Sequence, residues 1–513
     1  MKVQKRPLVI QQNVQHTVKS LGILSMFFII IPAFIISLFN MHNTYDDAFI
    51  TYRYAYNLAI GHGFVYNIGE WFMGTTAPFY GLLLGIMGIL EPSSIPSISG
   101  YLSGISLILA GLALYWYGRL HNETFCGLLA GLFFVVNPLL PSTFGGEMLF
   151  QTALILWAFV LYKQERSLLA ALLLALAILT RADGVIATGV IGLHYLVVQR
   201  RFPWREMLCI AVVLLPFLLL AWLFYGSPLP GTLEAKLAQR DSGLWPLFTA
   251  GMIEWIKGYT MQGSSVIYPT LPAAPHAIRF ILFGLLGLPA LFLFRFWLLP
   301  LAWIVLYALG YHILNVPFYH WYVVPVATGL MILAASGVAG MVVVLSKIYQ
   351  RMHNAEQVSI VRQGLIVLCL VVLSPGIYAQ IPYAQYLAAQ EPNPVERLYE
   401  QTGRWLATNT ARDARVGYFE IGYLGYYSRR TIIDPLGLVN PGLAVHIAQH
   451  NFTWAYEHYR PEYIIHNQLV FAPYIGQVID QTWFKQEYRE IARMSSVVDD
   501  YPPLIIYQRQ TVE

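Results

Sequence analysis

Apolar residues run in blocks along this chain, separated by short polar connections. The blocks fall at about 21–39, 76–90, 98–118, 123–141, 148–163, 167–181, 184–199, 206–225, 278–294, 297–315, 321–346 and 362–380. A helix rising 1.5 Å per residue needs about 20 residues to cross ~30 Å of hydrocarbon, so the pattern predicts a polytopic α-helical membrane protein. The block 76–90 is the exception. It is short, opens on Thr75-Thr76-Ala77-Pro78 and closes on Glu91-Pro92, flanks that suit a helix lying in the interface.

The distribution of Lys and Arg decides the count, because basic loops stay cytoplasmic. Basic residues gather in the N-terminal tail (Lys2, Lys5, Arg6, Lys19), at Arg119, at Lys163/Arg166, at Arg200/Arg201/Arg205, at Arg295 and at Lys347/Arg351/Arg362. All fall on one side only if 76–90 does not cross. The expectation is therefore 11 spans with the N-terminus inside, the run 21–39 serving as an uncleaved anchor because no small-residue cleavage site follows it. The segments expected outside are 41–97, Pro141–Glu147, the junction Arg181-Ala182-Asp183-Gly184, 226–277, 315–321 and the tail from 381 to 513.

That tail changes character, with charges and Asn/Gln now common. A helix is expected over 394–408 and short strands at Arg415–Phe419, Thr431–Ile433, Tyr463–His466 and Leu504–Gln508, which together predict a small α/β domain. The domain plan is a cytoplasmic tail 1–20, a transmembrane domain 21–380 and an extracytoplasmic domain 381–513. Composition agrees with it: 57% hydrophobic and 11% charged residues exclude an ordinary soluble protein. A net charge of +4, spread along the chain, gives no support to a nucleic-acid partner. Cys126, Cys209 and Cys369 lie inside apolar runs and read as buried hydrophobes, not a disulfide framework. There is no Walker A loop, no Gly-x-Gly-x-x-Gly after a strand and no His-Glu-x-x-His, so nucleotide-sugar chemistry is unsupported. No internal repeat is visible, which weighs against transporter architectures built from duplicated halves.

The most informative polar stretch is 43–79. It contains Asp46-Asp47-Ala-Phe-Ile-x-x-Arg53-Tyr-Ala, then Gly61-His62-Gly63-x-Val65-Tyr66-Asn67-x-Gly69-Glu70. These motifs resemble the signature first loop of the C-type (GT-C) glycosyltransferases, closest to bacterial members similar to the terminal arabinofuranosyltransferases of mycobacterial cell walls. Ile421-Gly-Tyr-Leu-Gly-Tyr-Tyr-Ser428 and Ile433-Asp434-Pro-Leu-Gly-Leu438 also look like the tail of that group. The resemblance implies a polyprenyl-phosphate-linked sugar donor, a glycan or lipid acceptor, and a site on the external face of the plasma membrane. It also implies that the first acid of the pair, Asp46, is the base and that Asp47 orients the site or binds a cation. Glu147 would be a second acid in the matching second external loop.

Each candidate also has a plain structural reading. Asp46 and Asp47 suit a helix N-terminus, and Glu147 suits a cap in a Gly-rich turn. Arg53 could bind lipid headgroups at the membrane surface, although a guanidinium also holds a phosphate bidentately. Arg181 could pair locally with Asp183, yet it lies at a depth suited to a lipid phosphate. His320, between Tyr319 and Trp321, suits an aromatic belt or a donor phosphate. Lys236 is either a solvated lysine or a further phosphate ligand. No cofactor is required; Asp47 and Glu147 offer hard oxygen ligands suited to magnesium or manganese. The competing function is a transporter or flippase of lipid-linked saccharides, which would want ionisable groups at mid-membrane or broken helices in paired halves. A non-catalytic scaffold whose tail binds glycan is the third.

Overall fold

The computed structural model describes residues 7–137, 139–261, 274–350, 364, 394–467, 472–495 and 502–510. The chain enters through α1 (Pro7–Asn40), and its first long connection holds α2 (Asp46–Ala59) and α3 (Pro78–Met87). There follow α4 (Ile95–Leu120), α5 (Thr124–Val135), α6 (Met148–Lys163), α7 (Ser167–Thr180), α8 (Gly184–Gln199) and α9 (Trp204–Tyr225). A second long connection carries α10 (Thr232–Ser242) and α11 (Phe248–Met261), before α12 (Ala274–Ala290), α13 (Leu298–Leu314) and α14 (Val323–Gln350).

Among the described residues, four segments are long and apolar enough to cross a membrane: Pro92–Leu120, Trp204–Tyr225, Arg295–Leu314 and His320–Tyr349. Shorter apolar helices of 10–17 residues stand beside them. The block 76–90 becomes α3, whose 10 residues span only ~15 Å, about half the hydrocarbon thickness. The expected span 362–380 and the domain boundary near 381 lie outside the described residues.

Between apolar helices in lipid, close packing replaces the hydrophobic effect, and small residues let backbones approach. α4 and α5 use this device twice. A Cβ on Gly118 would lie 2.5 Å from the Gly127 Cα, and one on Gly131 would lie 2.4 Å from the Gly111 carbonyl oxygen.

The tail folds into an α/β domain. Its helix Pro394–Asn409 precedes β1 (Arg415–Gly417), the helix Gly422–Ser428 and β2 (Thr431–Ile433). β3 (Tyr463–Asn467), β4 (Tyr488–Met494) and β5 (Leu504–Arg509) complete a sheet of order β2-β1-β3-β5-β4. β1 runs parallel to β2 and β3, whereas β5 pairs antiparallel with β3 and β4. The expected helix and four expected strands are present, within one or two residues at each end. β4 was not expected. It is an edge strand, exposed at Arg489, Glu490 and Ile491, so it carries charges where a paired strand would show apolar alternation.

This domain is docked on α2. Residues Ala48 to Asn57 of α2 are all buried, because α3 and α4 cover one side and the helix Gly422–Ser428 covers the other. Burial on every side obliges each polar group there to find a partner. Arg53 does so entirely with backbone: Nε donates to Tyr66 O (3.1 Å), Nη1 to Gly425 O (2.6 Å) and Nη2 to Arg430 O (3.3 Å). Asn67 exchanges two bonds of 2.9 Å with the Ile432 backbone, and the Tyr66 hydroxyl donates to Ile421 O at 2.6 Å.

The Gly127→Ala substitution tests the helix crossing. Its Cβ would meet the Tyr115 carbonyl oxygen at 2.7 Å, and overpacking of this kind costs about 1–3 kcal/mol. A lowered unfolding midpoint in detergent is expected; an unchanged midpoint would mean that the two helices do not cross at these glycines.

Candidate active site

Asp46 and Asp47 open α2, where the four unpaired N–H groups and the positive end of the dipole favour carboxylates. Tyr45 precedes them in extended conformation (φ −144°, ψ 159°). Successive residues on a helix point about 100° apart, so the two acids serve different surroundings. Asp46 faces the C-terminal domain: its Oδ2 accepts the Gly422 N–H and its Oδ1 accepts the Tyr423 N–H, both at 2.8 Å. Asp47 faces an open cleft, and no donor among the described residues hydrogen-bonds to its carboxylate.

Six parts of the chain build that cleft. The start of α2 gives Tyr45, Asp47, Ile50 and Thr51, and the segment after Met73 gives Gly74, Thr75 and Thr76. Glu147 comes from the head of α6, and Thr232 and Lys236 from α10, one turn apart and so on one face. Trp321 lies just before α14, and Leu438 belongs to the C-terminal domain. Trp321 stacks on Tyr45 with centroids 4.9 Å apart and planes 16° apart. Tyr45 reaches this position because Gly146 has no side chain: a Cβ there would lie 1.9 Å from the Tyr45 hydroxyl oxygen.

The Glu147 carboxylate is held from behind. Arg181 Nη1 donates to its Oε1 at 2.6 Å, while Nε donates to Asp183 Oδ2 (3.1 Å) and Nη2 to the Tyr311 hydroxyl (3.0 Å). Tyr311 in turn donates to Asp183 Oδ2 at 2.6 Å, and Gln151 Nε2 donates to Asp183 Oδ1 at 2.6 Å. Lys236 is 9% exposed. Its Nζ donates to the Tyr322 hydroxyl at 3.1 Å and stands 3.9 Å from the Tyr319 ring centroid. Burial raises the Asp47 carboxyl from its ordinary value; Lys236 opposes that shift and Glu147 adds to it.

Of the seven residues expected at the site, the structure brings Asp47, Glu147 and Lys236 together on the cleft. The other four stand around it. Asp46 and Arg53 tie α2 to the C-terminal domain, and Arg181 orients Glu147. His320 donates through Nε2 to Ser142 O at 3.0 Å and lies edge-on to Tyr45 at 5.1 Å. Arg53 is 1% exposed, bonded to three buried carbonyls and not among the residues that line the cleft.

Three acids were not singled out from the sequence, and all lie behind the cleft. Burial, then Asp46, drives the Glu420 carboxyl well above its ordinary range. Burial also pushes Glu396 up to about 8, although it accepts a 3.2 Å bond from the Tyr423 hydroxyl. Asp434 is fully buried and pushed up to about 7, chiefly by burial. A signal existed for Glu420: it is the one charged residue in the run 416–428.

Among the described residues no group of three or more His, Cys, Asp or Glu is placed to hold a metal ion. Asp47 and Glu147 are two carboxylates on one cleft, the number by which magnesium is often held when substrate phosphate completes its shell.

A sequence family described as a domain of unknown function (DUF8728) matches residues 384–512. No curated protein matches the chain. Solved structures do. ArnT from Cupriavidus metallidurans in its apo state superposes with a TM-score of 0.56 at 13% identity, covering 96% of this chain and 98% of that one. ArnT bound to undecaprenyl phosphate gives 0.53 at 14% identity with the same coverage. The archaeal oligosaccharyltransferase AglB from Archaeoglobus fulgidus, in complex with an inhibitory peptide and a dolichol-phosphate, gives 0.56 at 13%, over 92% of this chain and 73% of that one. The chain has the GT-C fold. Within this GT-C fold the cleft lies where the first long connection, the α10 connection and the C-terminal domain converge.

The buried acids generate a pH prediction. The folded-state values of Asp46 (about 6), Asp434 (about 7) and Glu396 (about 8) all lie above their ordinary ones. Between roughly pH 4 and 8 the fold therefore binds more protons than the unfolded chain, and stability falls as pH rises. The unfolding midpoint is expected to be higher at pH 5 than at pH 8.5, with a shallower slope for Glu396→Gln. A midpoint that rises across this range would contradict the assignment.

Proposed function

We propose that this chain is an integral membrane glycosyltransferase that moves a sugar from a polyprenyl-phosphate donor to an acceptor hydroxyl. The observation that carries the reading is Asp47, a carboxylate with no hydrogen-bond donor among the described residues, sharing one cleft with Lys236 inside a GT-C fold. The lipid phosphates bound to ArnT and AglB support a donor of that class. The enzyme would sit in the plasma (inner) membrane with 11 spans, its cleft and C-terminal domain on the extracytoplasmic side.

In this reading Asp47, not Asp46, is the base. Both Asp46 oxygens are occupied by backbone N–H groups, whereas Asp47 is open to a substrate hydroxyl. Asp47 takes the acceptor proton as the acceptor oxygen attacks the anomeric carbon from the side opposite the phosphate. The anomeric C–O bond breaks, its electron pair leaves on the polyprenyl phosphate, and the configuration inverts. Lys236 stabilises the developing charge on that phosphate. Glu147, fixed by Arg181, accepts hydrogen bonds from sugar or acceptor hydroxyls. A magnesium or manganese ion, if bound, would be held by Asp47 and Glu147 and would neutralise phosphate charge.

Two measurements test this. With synthetic undecaprenyl-phosphate pentoses and hexoses as donors, Asp47→Asn should lose about 10²–10⁴-fold in turnover. Asp46→Asn turns an amide NH₂ toward a backbone N–H, so its main effect should be destabilisation of about 1–3 kcal/mol; the reverse ranking would restore Asp46 as base. Separately, Lys236→Gln should weaken undecaprenyl phosphate binding at least about tenfold, the equivalent of ~1.4 kcal/mol. Unchanged affinity would remove Lys236 from the phosphate site.

A further inference from the structure

The end of the helix bundle remote from the cleft carries a cluster that sugar transfer does not use. Glu147 heads α6 at the cleft, and α6 then runs 16 residues to Lys163, a rise of ~24 Å. α7 returns and brings Arg181 back to Glu147, so residues 163–167 mark the far end. α9 begins beside them. Ser167 Oγ donates to Glu206 Oε1 at 2.5 Å, and Cys209 Sγ donates to Leu168 O at 3.8 Å. The heads of α7 and α9, with the loop 200–203 that precedes α9, thus share one surface.

That surface is basic and apolar at once. Lys163, Arg166, Arg200, Arg201 and Arg205 are all exposed, facing two acids, Glu165 and the Glu206 already bonded to Ser167. Among the described residues none of the five cations pairs with a carboxylate. Phe202 and Trp204 stand between them, 61% and 58% exposed, and the Arg205 guanidinium lies 5.3 Å from the Trp204 ring centroid. Past them α9 turns Met207, Leu208 and Val212 outward, and 6% of its apolar stretch is buried inside the protein. The arginines therefore sit where a lipid-facing helix ends, which is the depth of phospholipid headgroups. A guanidinium grips a phosphodiester through two N–H groups, and tryptophan favours the same interface. A free anion would match the charges and leave the apolar half unused.

We propose that the heads of α7 and α9 form a binding site for an anionic phospholipid. Its phosphate lies among Arg166, Arg200, Arg201 and Arg205, and its acyl chains lie along α9. This does not depend on the glycosyl-transfer reading. It gives the lipid a structural task, because α9 packs mainly on α7 and its far end holds the first connection. There Trp71 stacks on Phe224 at 5.1 Å, and the Tyr225 hydroxyl donates to Phe64 O at 2.7 Å. Six residues on, the Gly231 N–H donates to Met73 O at 3.0 Å, and α10 with Lys236 follows. A headgroup held at one end of α9 steadies the strut that leads to the cleft.

The test titrates the delipidated full-length protein with phosphatidylglycerol and with phosphatidylcholine of the same chain length, read by native mass spectrometry. The anionic lipid should bind at least about tenfold more tightly. The triple variant Arg200→Gln/Arg201→Gln/Arg205→Gln should lose that preference, and Arg166→Gln alone should weaken it about fivefold, an arm that leaves the loop intact. Lys236→Gln at the cleft and Arg489→Gln on the C-terminal domain should keep it. Phosphatidylglycerol should raise the unfolding midpoint of the wild-type protein and not of the triple variant, and excess inorganic phosphate should leave the lipid bound. Equal affinity for the two lipids, which arginines serving topology alone would give, overturns the proposal. So does a preference that survives the loop and α7 substitutions, one lost in Lys236→Gln, displacement by inorganic phosphate, or a midpoint that phosphatidylglycerol does not move.

Discussion

The docking of the C-terminal domain on α2 is the constraint that the rest of the site depends on. α2 is buried from Ala48 to Asn57, an unusual position for a helix that carries Asp, Thr, Arg, Tyr and Asn. Such a helix is stable only if each polar group is satisfied where it stands, since an unpaired buried group costs about 1–3 kcal/mol. Most of the partners come from the far end of the chain: Asp46 accepts two N–H groups at the head of the helix Gly422–Ser428, and Arg53 donates to the Gly425 and Arg430 carbonyls there as well as to the nearby Tyr66 carbonyl. Removing the domain would strand these groups together. The first connection and the C-terminal domain thus behave as one body.

That arrangement gives two adjacent acids separate tasks. Asp46 is spent on docking, which leaves Asp47 pointing into the cleft with Lys236 and Glu147 as its charged neighbours there. Arg181 has the same supporting relation to Glu147. Its three nitrogens are committed to Glu147, Asp183 and Tyr311, so the carboxylate is held in one orientation at the cleft wall. Basic residues suited to phosphate by type therefore divide by environment. Arg53 and Arg181 organise the protein, and Lys236 alone among the expected four phosphate ligands reaches the cleft.

The sequence carried much of this. Apolar blocks recur along the chain, four of them in segments long enough to cross a membrane among the described residues, and the short block 76–90 became α3. The tail's helix and four of its strands were legible because buried strands announce themselves by apolar runs. β4 was not, since an edge strand carrying Arg489, Glu490 and Arg493 has the composition of a loop. The acidic pair, Glu147 and Lys236 were marked by residue type and by placement in the connections expected on one face. Glu396 and Glu420 escaped notice, and Asp434 stood only inside a quoted motif, because an acid's burial depends on what folds over it, which residue type does not reveal.

By itself, then, the sequence determined the membrane class, the apolar helices, the small α/β domain and which connections carry polar chemistry, but not α10 and α11, which lie in a stretch expected to be loop. These follow from periodicity, length and residue type, which are local properties. The tertiary structure alone decided which acid faces the cleft, which expected cation lines it and that the C-terminal domain contributes to its wall. Neighbouring residues on a helix diverge by about 100°, and only the packing of α2 between the apolar helices and a domain nearly 400 residues later determines which direction holds a backbone and which holds an open cleft.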